Sequence, residues 1–385
     1  MPIFNQSIPS KLPQVGTSIF TVMSKLATDH QAINLSQGFP DFTCSTELVS
    51  LVHKYMHSGF NQYAPMQGLP LLREVIAVKF KKLYNTDYDP DKEITITAGG
   101  TQALYSAISA LVREGDEVVV FTPAYDSYEP AVTLHKGITR YVQLAAPDFK
   151  INWKEVKKTV NSKTRMIIIN SPHNPSGAIL SGSDIKELEK IVKGTGIIIL
   201  SDEVYEHLVF DGQKHLSMAT TSELASRSII VASFGKIFHV TGWKMGYMAG
   251  PSNLMAEVRK AHQYQVFCCN TPAQHAIAEY LQQEKTYMEL NDFYQAKRDY
   301  FLQGIKQSRF TVVPTKGTYF QLLDYSPIST ENDVEFAKRL TTEYKLASIP
   351  VSVFYNTKTD QHLLRFCFAK KEETLDKAIE ILNKI

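Results

Sequence analysis

Met166-Ile-Ile-Ile169-Asn170-Ser-Pro-His173-Asn174-Pro175-Ser176-Gly177 is followed by a helical pattern through Ile185, Leu188, Ile191 and Val192, and then by Ile197-Ile-Ile-Leu200-Ser201-Asp202-Glu203-Val204-Tyr205. Two continuous apolar runs of strand length enclose an amphipathic helix whose start, Ser181 and Asp184, is spaced as a capping box. Strands that are apolar at every position are buried on both faces. The unit therefore predicts an α/β fold, a mainly parallel sheet sandwiched by helices. Ligands of such sheets collect at the carboxyl ends of the strands, and here both apolar runs end in polar clusters.

Working outward, Glu117-Val-Val-Val-Phe121, Arg140-Tyr-Val-Gln143, Ser228-Ile-Ile-Val-Ala232 and Tyr247-Met-Ala249 supply further strands, the first running into Thr122-Pro-Ala-Tyr125-Asp-Ser-Tyr128. The Ser228 run ends in Ser233-Phe-Gly-Lys236-Ile-Phe-His-Val-Thr241-Gly-Trp-Lys244-Met-Gly246, with two lysines eight residues apart among turn-forming residues. A lysine enclosed beside another cation has its pKa lowered, which suits Schiff-base chemistry; the alternative is a basic surface loop. Glu93-Ile-Thr-Ile-Thr97 alternates like a strand and ends in Ala98-Gly99-Gly100-Thr101-Gln102, after which Leu104, Ala107, Ile108 and Leu111 mark one helix face. Strand, glycine turn and helix present free amides and a positive dipole end to an anion, although a tight turn without a ligand has the same pattern.

Upstream, Ile19, Phe20, Val22, Met23 and Leu26 predict a helix over Ser18 to Thr28. The irregular Asn34-Leu-Ser-Gln-Gly38-Phe-Pro40-Asp41-Phe42 follows, and its Gly38 either connects elements or lets bare backbone approach a ligand. A helix is expected over Glu47 to Ser58 and another from Pro70, with Tyr63 just outside it. After Pro251 the pattern is largely helical through Glu257 to Lys306. Strands then resume at Phe310 to Val313, Thr318 to Leu322 and His362 to Phe368, with a helix over Asp333 to Tyr344. This predicts an N-terminal segment, 1–40, packing with a smaller α+β domain, 281–385, beside a large domain, 41–280.

At 385 residues the chain has room for both. Forty-one basic against thirty-nine acidic side chains leave a net charge of +2, which argues for neither a nucleic-acid partner nor an anionic membrane surface. Met1-Pro-Ile-Phe-Asn-Gln-Ser has no secretory-signal pattern and no apolar run reaches membrane-spanning length, so a soluble, cytoplasmic protein is expected. Cys44, Cys268, Cys269 and Cys367 have neither metal-ligand spacing nor the density of a disulfide scaffold. They read as reduced thiols, mostly buried, and no metal is expected.

Taken in order and spacing, Gly99-Gly-Thr101, Tyr125, Asn174-Pro-Ser-Gly, Asp202-Glu-Val-Tyr205, Ser233-x-x-Lys236 and Thr241-Gly-Trp-Lys244-x-Gly resemble the pyridoxal-phosphate-dependent class I and II aminotransferases of fold type I. The resemblance covers essentially the whole chain, from Gly38 to Arg365. It implies that Lys236 anchors pyridoxal 5'-phosphate covalently and serves as the base moving the substrate's alpha proton. Asp202 would keep the pyridine nitrogen protonated, Asn174 and Tyr205 would donate to the phenolate oxygen, and Tyr125 would stack on the ring. Gly100, Thr101, Ser233 and Lys244 would hold the phosphate. Tyr63 matches a tyrosine reaching a phosphate across a subunit interface, which implies a homodimer with shared active sites. Arg365 would clamp the substrate carboxylate, with Asn174 and the Gly38 backbone beside it.

The chain departs from the aspartate-type pattern where Lys244 stands for an arginine and Gly235 for the second serine of Ser-x-Ser-Lys. These features look like the kynurenine and glutamine transaminase branch and bacterial methionine aminotransferases. Methionine, glutamine and aromatic amino acids are the implied donors, exchanged with a 2-oxo acid in two half-reactions. Phe20, Phe39 and Tyr63 are candidates for the apolar pocket wall. Carbon-sulfur beta-lyase activity on cysteine conjugates, or kynurenine transamination as the main activity, are the alternatives on the same scaffold. A transcription regulator built on such a domain would need a DNA-binding module, which neither a segment before Ile33 nor a basic face suggests.

Overall fold

The computed structural model describes residues 3–385. Seven strands form one sheet in the order Ile94–Thr97, Gly246–Ala249, Ser228–Ser233, Ile198–Asp202, Thr164–Asn170, Glu117–Thr122, Ile138–Gln143. Six run the same way. Gly246–Ala249 is antiparallel to both its neighbours. The residues from Phe234 to Met245 that join it to the preceding strand form two short helical turns, Phe234–Ile237 and Thr241–Trp243, instead of a helix long enough to cross the sheet, and the connection closes with the Phe234 amide donating to the Met245 carbonyl at 3.0 Å.

Successive residues of the central strands enter opposite cores. Ile167, Ile169 and Ile199 join one apolar cluster, while Met166, Ile168, Ile198 and Leu200 join the other. Helix Gly99–Leu111 covers the second face with Ser252–Gln265, and Thr46–His57, Pro70–Tyr84 and Thr271–Leu281 pack together on the first. The expected capping box is present: Ser181 accepts from the Asp184 amide, and the Asp184 carboxylate accepts from the Ser181 amide at 2.8 Å.

Beyond residue 285 the chain builds a four-stranded antiparallel sheet ordered Ile349–Pro350, Leu363–Cys367, Phe320–Asp324, Thr311–Val312. Helix Leu290–Gly304 packs against a terminal helix, Glu372–Lys384, that the sequence reading had passed over. Its buried face, Leu375, Ala378 and Leu382, has helical spacing, but charged residues dilute it in sequence. Near the other end of the chain, Ile33–Asn34 pairs in parallel with Leu346–Ala347, and helix Ile19–Asp29 packs on Asp333–Thr342. Cys269 and Cys367 are buried and Cys44 and Cys268 half-buried, all four as free thiols. None of the helices among the described residues is long and apolar enough to cross a membrane.

A buried ion pair ties the strand end at Asp202 to helix Pro70–Tyr84. The Lys79 ammonium lies 2.6 Å from Glu206 and donates to the Tyr247 hydroxyl at 2.9 Å, while Tyr84 donates to the other Glu206 oxygen at 2.7 Å. Removing one partner strands the other charge in the core, so Lys79→Met should destabilise the protein by about 3–5 kcal/mol. Urea unfolding checks this. A loss below about 1 kcal/mol would mean that water reaches Glu206.

Candidate active site

Register brings the polar strand ends together. Thr97, Gly246 and Ser233 form one row across three strands, and Asn170 pairs with Asp202. Above this edge lies a cavity of about 270 Å³. It opens onto Gly38, Gly100, Thr101, Tyr125, Asn174, Asp202, Tyr205, Ser233, Lys236, Lys244 and Arg365. Of the residues singled out in the sequence, only Tyr63 and Phe39 lie outside it.

One end of the cavity suits an anion. Helix Gly99–Leu111 begins there with free amides. Gly99 has φ +78°, and a Cβ on it would stand 3.6 Å from the Lys244 Nζ, so the amine hangs over the helix start. Lys244 is itself left-handed at φ 55°, which turns its side chain back toward that start as the chain re-enters the sheet. Thr101 and Tyr125 share a hydroxyl contact at 3.2 Å. Gly235 has a steric reason: a Cβ there would lie 3.0 Å from the Thr241 Cα.

At the centre is Asp202, buried, with one carboxylate oxygen accepting from the Tyr128 hydroxyl at 2.5 Å and the other only a long contact from the Val204 amide, 3.4 Å. Burial pushes its carboxyl up to about 6, against the Tyr128 and Val204 hydrogen bonds and the charge of Lys236. Asn170 braces both neighbours: it donates to the Asp202 carbonyl at 2.9 Å and accepts from the Asn174 amide at 2.8 Å.

The far end holds two cations. The amine of Lys236 donates to the Tyr319 hydroxyl at 2.8 Å and to the Gly38 carbonyl at 3.2 Å. Enclosure pushes it down to about 8; the Cys367 thiol group opposes this, Arg365 and Lys244 add to it, and Asp202 opposes it. Arg365 is 1% exposed and pushed down to about 10 by burial. It donates to Asn174 Oδ1 at 2.8 Å and to the Ser36 carbonyl at 3.1 Å, and stacks on Phe320 at 3.8 Å. Its Nε has no partner, and no carboxylate lies within ion-pair distance among the described residues. The ordinary structural explanation for a buried arginine, an internal ion pair, therefore fails here.

Phe20 does line the cavity, beside Arg365. Phe39 does not; it is 42% exposed and lies under the Lys370 ammonium, because Gly38 turns the chain away at that point. Tyr63 is 79% exposed, edge-on to Phe267 at 5.0 Å. Sequence reading had assigned no role to Tyr128, Tyr319 or Asn170. Tyr128 follows Tyr125 by three residues at a helix start, which is a usable signal; Tyr319 sits in a bend just before the apolar strand Phe320–Asp324 and has none.

The fold is widely shared. The family described as aminotransferase class I and II matches residues 30–382. A methionine aminotransferase of Escherichia coli (strain K12) is 49% identical over 383 residues, covering 99% of each chain. A kynurenine–oxoglutarate transaminase of Dictyostelium discoideum is 34% identical, covering 98% of this chain and 96% of its own. Among solved structures, an Escherichia coli protein identified with a methionine aminotransferase function superposes with a TM-score of 0.97 at 48% identity over all of both chains.

The enclosed amine gives a measurable signature. Only the neutral form acylates, so in the cofactor-free protein labelling of Lys236 should rise with pH through about 8 instead of 10.5. Peptide mass spectrometry after brief acylation reads the midpoint; a value near 10.5 would place the amine in bulk water.

Proposed function

The chain belongs to the class I and II aminotransferases, with pyridoxal phosphate as cofactor, and from that premise we propose that it moves the amino group of methionine, glutamine or aromatic amino acids to a 2-oxo acid. The observation that carries the substrate reading is Arg365. A buried guanidinium with a free Nε and no carboxylate partner calls for a counter-anion, and the carboxylate of an amino acid supplies one in a bidentate pair. Arg365 is also the only arginine among the described residues lining this chain's cavity, so nothing in its own wall pairs a second, side-chain carboxylate. Phe20 and Phe320 offer an apolar surface instead.

The donor set fits the cofactor. Its phosphate matches the end built from Gly100, Thr101, Ser233 and Lys244. Its ring nitrogen matches Asp202, whose second oxygen has only a long amide contact; its phenolate matches Asn174 and Tyr205, and its ring face Tyr125. When bound, the cofactor supplies an electron sink next to the substrate's alpha carbon. The chain's residues then orient and move protons. Arg365 and the Asn174 it touches hold the carboxylate, Lys236 Nζ takes the alpha proton and returns it to the carbon across the substrate nitrogen, and Asp202 keeps the ring nitrogen protonated.

In the same reading the protein is a cytoplasmic homodimer in which residues 1–40 pack with a small domain, 281–385, beside a large one, 41–280. Tyr63, exposed and directed away from this chain's own cavity, reaches the partner's phosphate site. Support comes from its packing on Phe267, 48% exposed and left-handed at φ 67°, which leaves an aromatic surface on the outside of the fold.

The pure protein should be yellow, and methionine alone should bleach the band. Lys236→Ala should retain cofactor without bleaching, whereas Lys244→Ala should weaken cofactor retention about tenfold, the scale of one charged hydrogen bond. Absorbance titration separates the two. A panel of amino donors scored by bleaching tests the specificity, and faster bleaching by aspartate than by methionine would overturn it.

A further inference from the structure

The Lys236 amine has two hydrogen-bond acceptors from the protein, the Tyr319 hydroxyl at 2.8 Å and the Gly38 carbonyl at 3.2 Å. The single hydrogen of Tyr319 is committed, since the hydroxyl donates to that same Gly38 carbonyl. Toward Lys236 the hydroxyl can therefore only accept. A neutral amine has two N–H groups and one lone pair, so two acceptors satisfy both and leave the lone pair free. An ammonium has a third N–H with no protein acceptor, and a buried unpaired donor is costly.

Tyr319 is held tightly for this purpose. It is fully buried, with its ring among Tyr205, Tyr294 and Phe320. The residue before it, Thr318, is a buried β-branched residue at φ 66°, a conformation that persists only where the surroundings enforce it. The Thr318 amide donates to the Leu208 carbonyl at 3.0 Å, and its hydroxyl accepts from the Phe320 amide at 3.1 Å. On the other side, a Cβ on Gly38 would collide with the Phe320 ring at 2.5 Å, so a bare backbone is what lets this carbonyl reach the amine.

We propose that the Tyr319 hydroxyl and the Gly38 carbonyl form a two-acceptor cradle that receives the Lys236 amine when it is released from the cofactor and presents its lone pair to the substrate's alpha proton. This rests on the reading of Lys236 as the base. The proton leaves the alpha carbon for Nζ, which becomes an ammonium, and departs again to the carbon on the far side of the transferred nitrogen, so Nζ is neutral once the shift is complete and the lysine itself is neither oxidised nor reduced. Tyr319 is thus a positioning residue. Its phenol stays protonated, because burial raises its pKa well above the ordinary value, with Tyr205, Cys367 and Tyr294 adding to that. The other titratable and charged groups facing the amine, Cys367, Arg365, Lys244, Asp202 and Tyr205, remain in place when the Tyr319 oxygen is removed.

The test is Tyr319→Phe, which deletes one oxygen from a packed ring. In the holoenzyme, bleaching by methionine should slow about tenfold or more, and α-deuterated methionine should show a larger isotope effect on that step. In the cofactor-free protein the acylation midpoint of Lys236 should move to lower pH, since an acceptor that stabilises the ammonium is gone. Bleaching that slows by more than the fall in base strength accounts for, the rate changing by at most tenfold per unit of midpoint shift, is the signature of lost positioning. Wild-type bleaching in Tyr319→Phe overturns the cradle, and so does slowed bleaching with both isotope effect and midpoint unchanged. If Tyr319→Phe does not fold, 3-fluorotyrosine at position 319 keeps the shape and weakens the acceptor, and the same readouts apply. Lys236→Ala keeps the two ideas apart: bleaching that survives it overturns the role of Lys236 itself, whereas wild-type behaviour of Tyr319→Phe overturns the cradle alone.

Discussion

The register of a parallel sheet is the constraint on which the site depends. Asn170 pairs with Asp202, and Ser233 and Thr97 flank Gly246 in one row, so residues from distant parts of the chain arrive at one edge without any contact having been selected between them directly. A slip of one residue in any strand would turn its side chains to the opposite face and move the polar ends out of line. Close packing on both faces resists that slip: Met166 and Ile168 point into one core, Ile167 and Ile169 into the other, and a shifted strand would have to repack both. The antiparallel return at Gly246 adds Lys244 to the same edge by the shortest available route.

The edge then accommodates charges that a core would normally exclude. Asp202 is held by one short hydrogen bond from Tyr128, Lys236 by two acceptors, and Arg365 by Asn174 and Ser36 with its Nε unpaired. Burial shifts each of the three toward its neutral form, the carboxyl upward and the two bases downward. A site made only for stability would pair these groups with one another. Leaving them facing one cavity costs stability and keeps their charges available to a ligand.

The N-terminal segment belongs to this arrangement as much as the sheet does. The Gly38 carbonyl faces Lys236 and the Ser36 carbonyl faces Arg365, while Lys370 and Thr374 hold the chain just beyond, at Phe39 and Asp41. The same few residues thus touch Lys236 and Arg365, placing both against a backbone that the parallel pairing of Ile33–Asn34 with Leu346–Ala347 has anchored.

Much of this was legible before any coordinates. The apolar runs and their polar ends located the strands, because burial on both faces leaves a continuous hydrophobic signal, and the glycine turn at Gly99 and the lysines at 236 and 244 stood out by residue type. Gly100, Asp202, Lys236 and Lys244 carry local chemistry that a motif can hold; Tyr128, Asn170 and Tyr319 do not, since what they do exists only through partners at Asp202, Asn174 and Lys236. The terminal helix Glu372–Lys384 escaped notice because its buried stripe is narrow among charges. Phe39 and Phe20 looked alike in sequence, yet the turn at Gly38 sends one to the surface while the other reaches the cavity. Sequence alone determined the fold class and the types of group available, because both follow from the period and chemistry of the side chains. Which groups meet, which remain unpaired and which face water was decided only by the tertiary structure, because those depend on distances between segments that hydrophobic burial sets and local sequence does not encode.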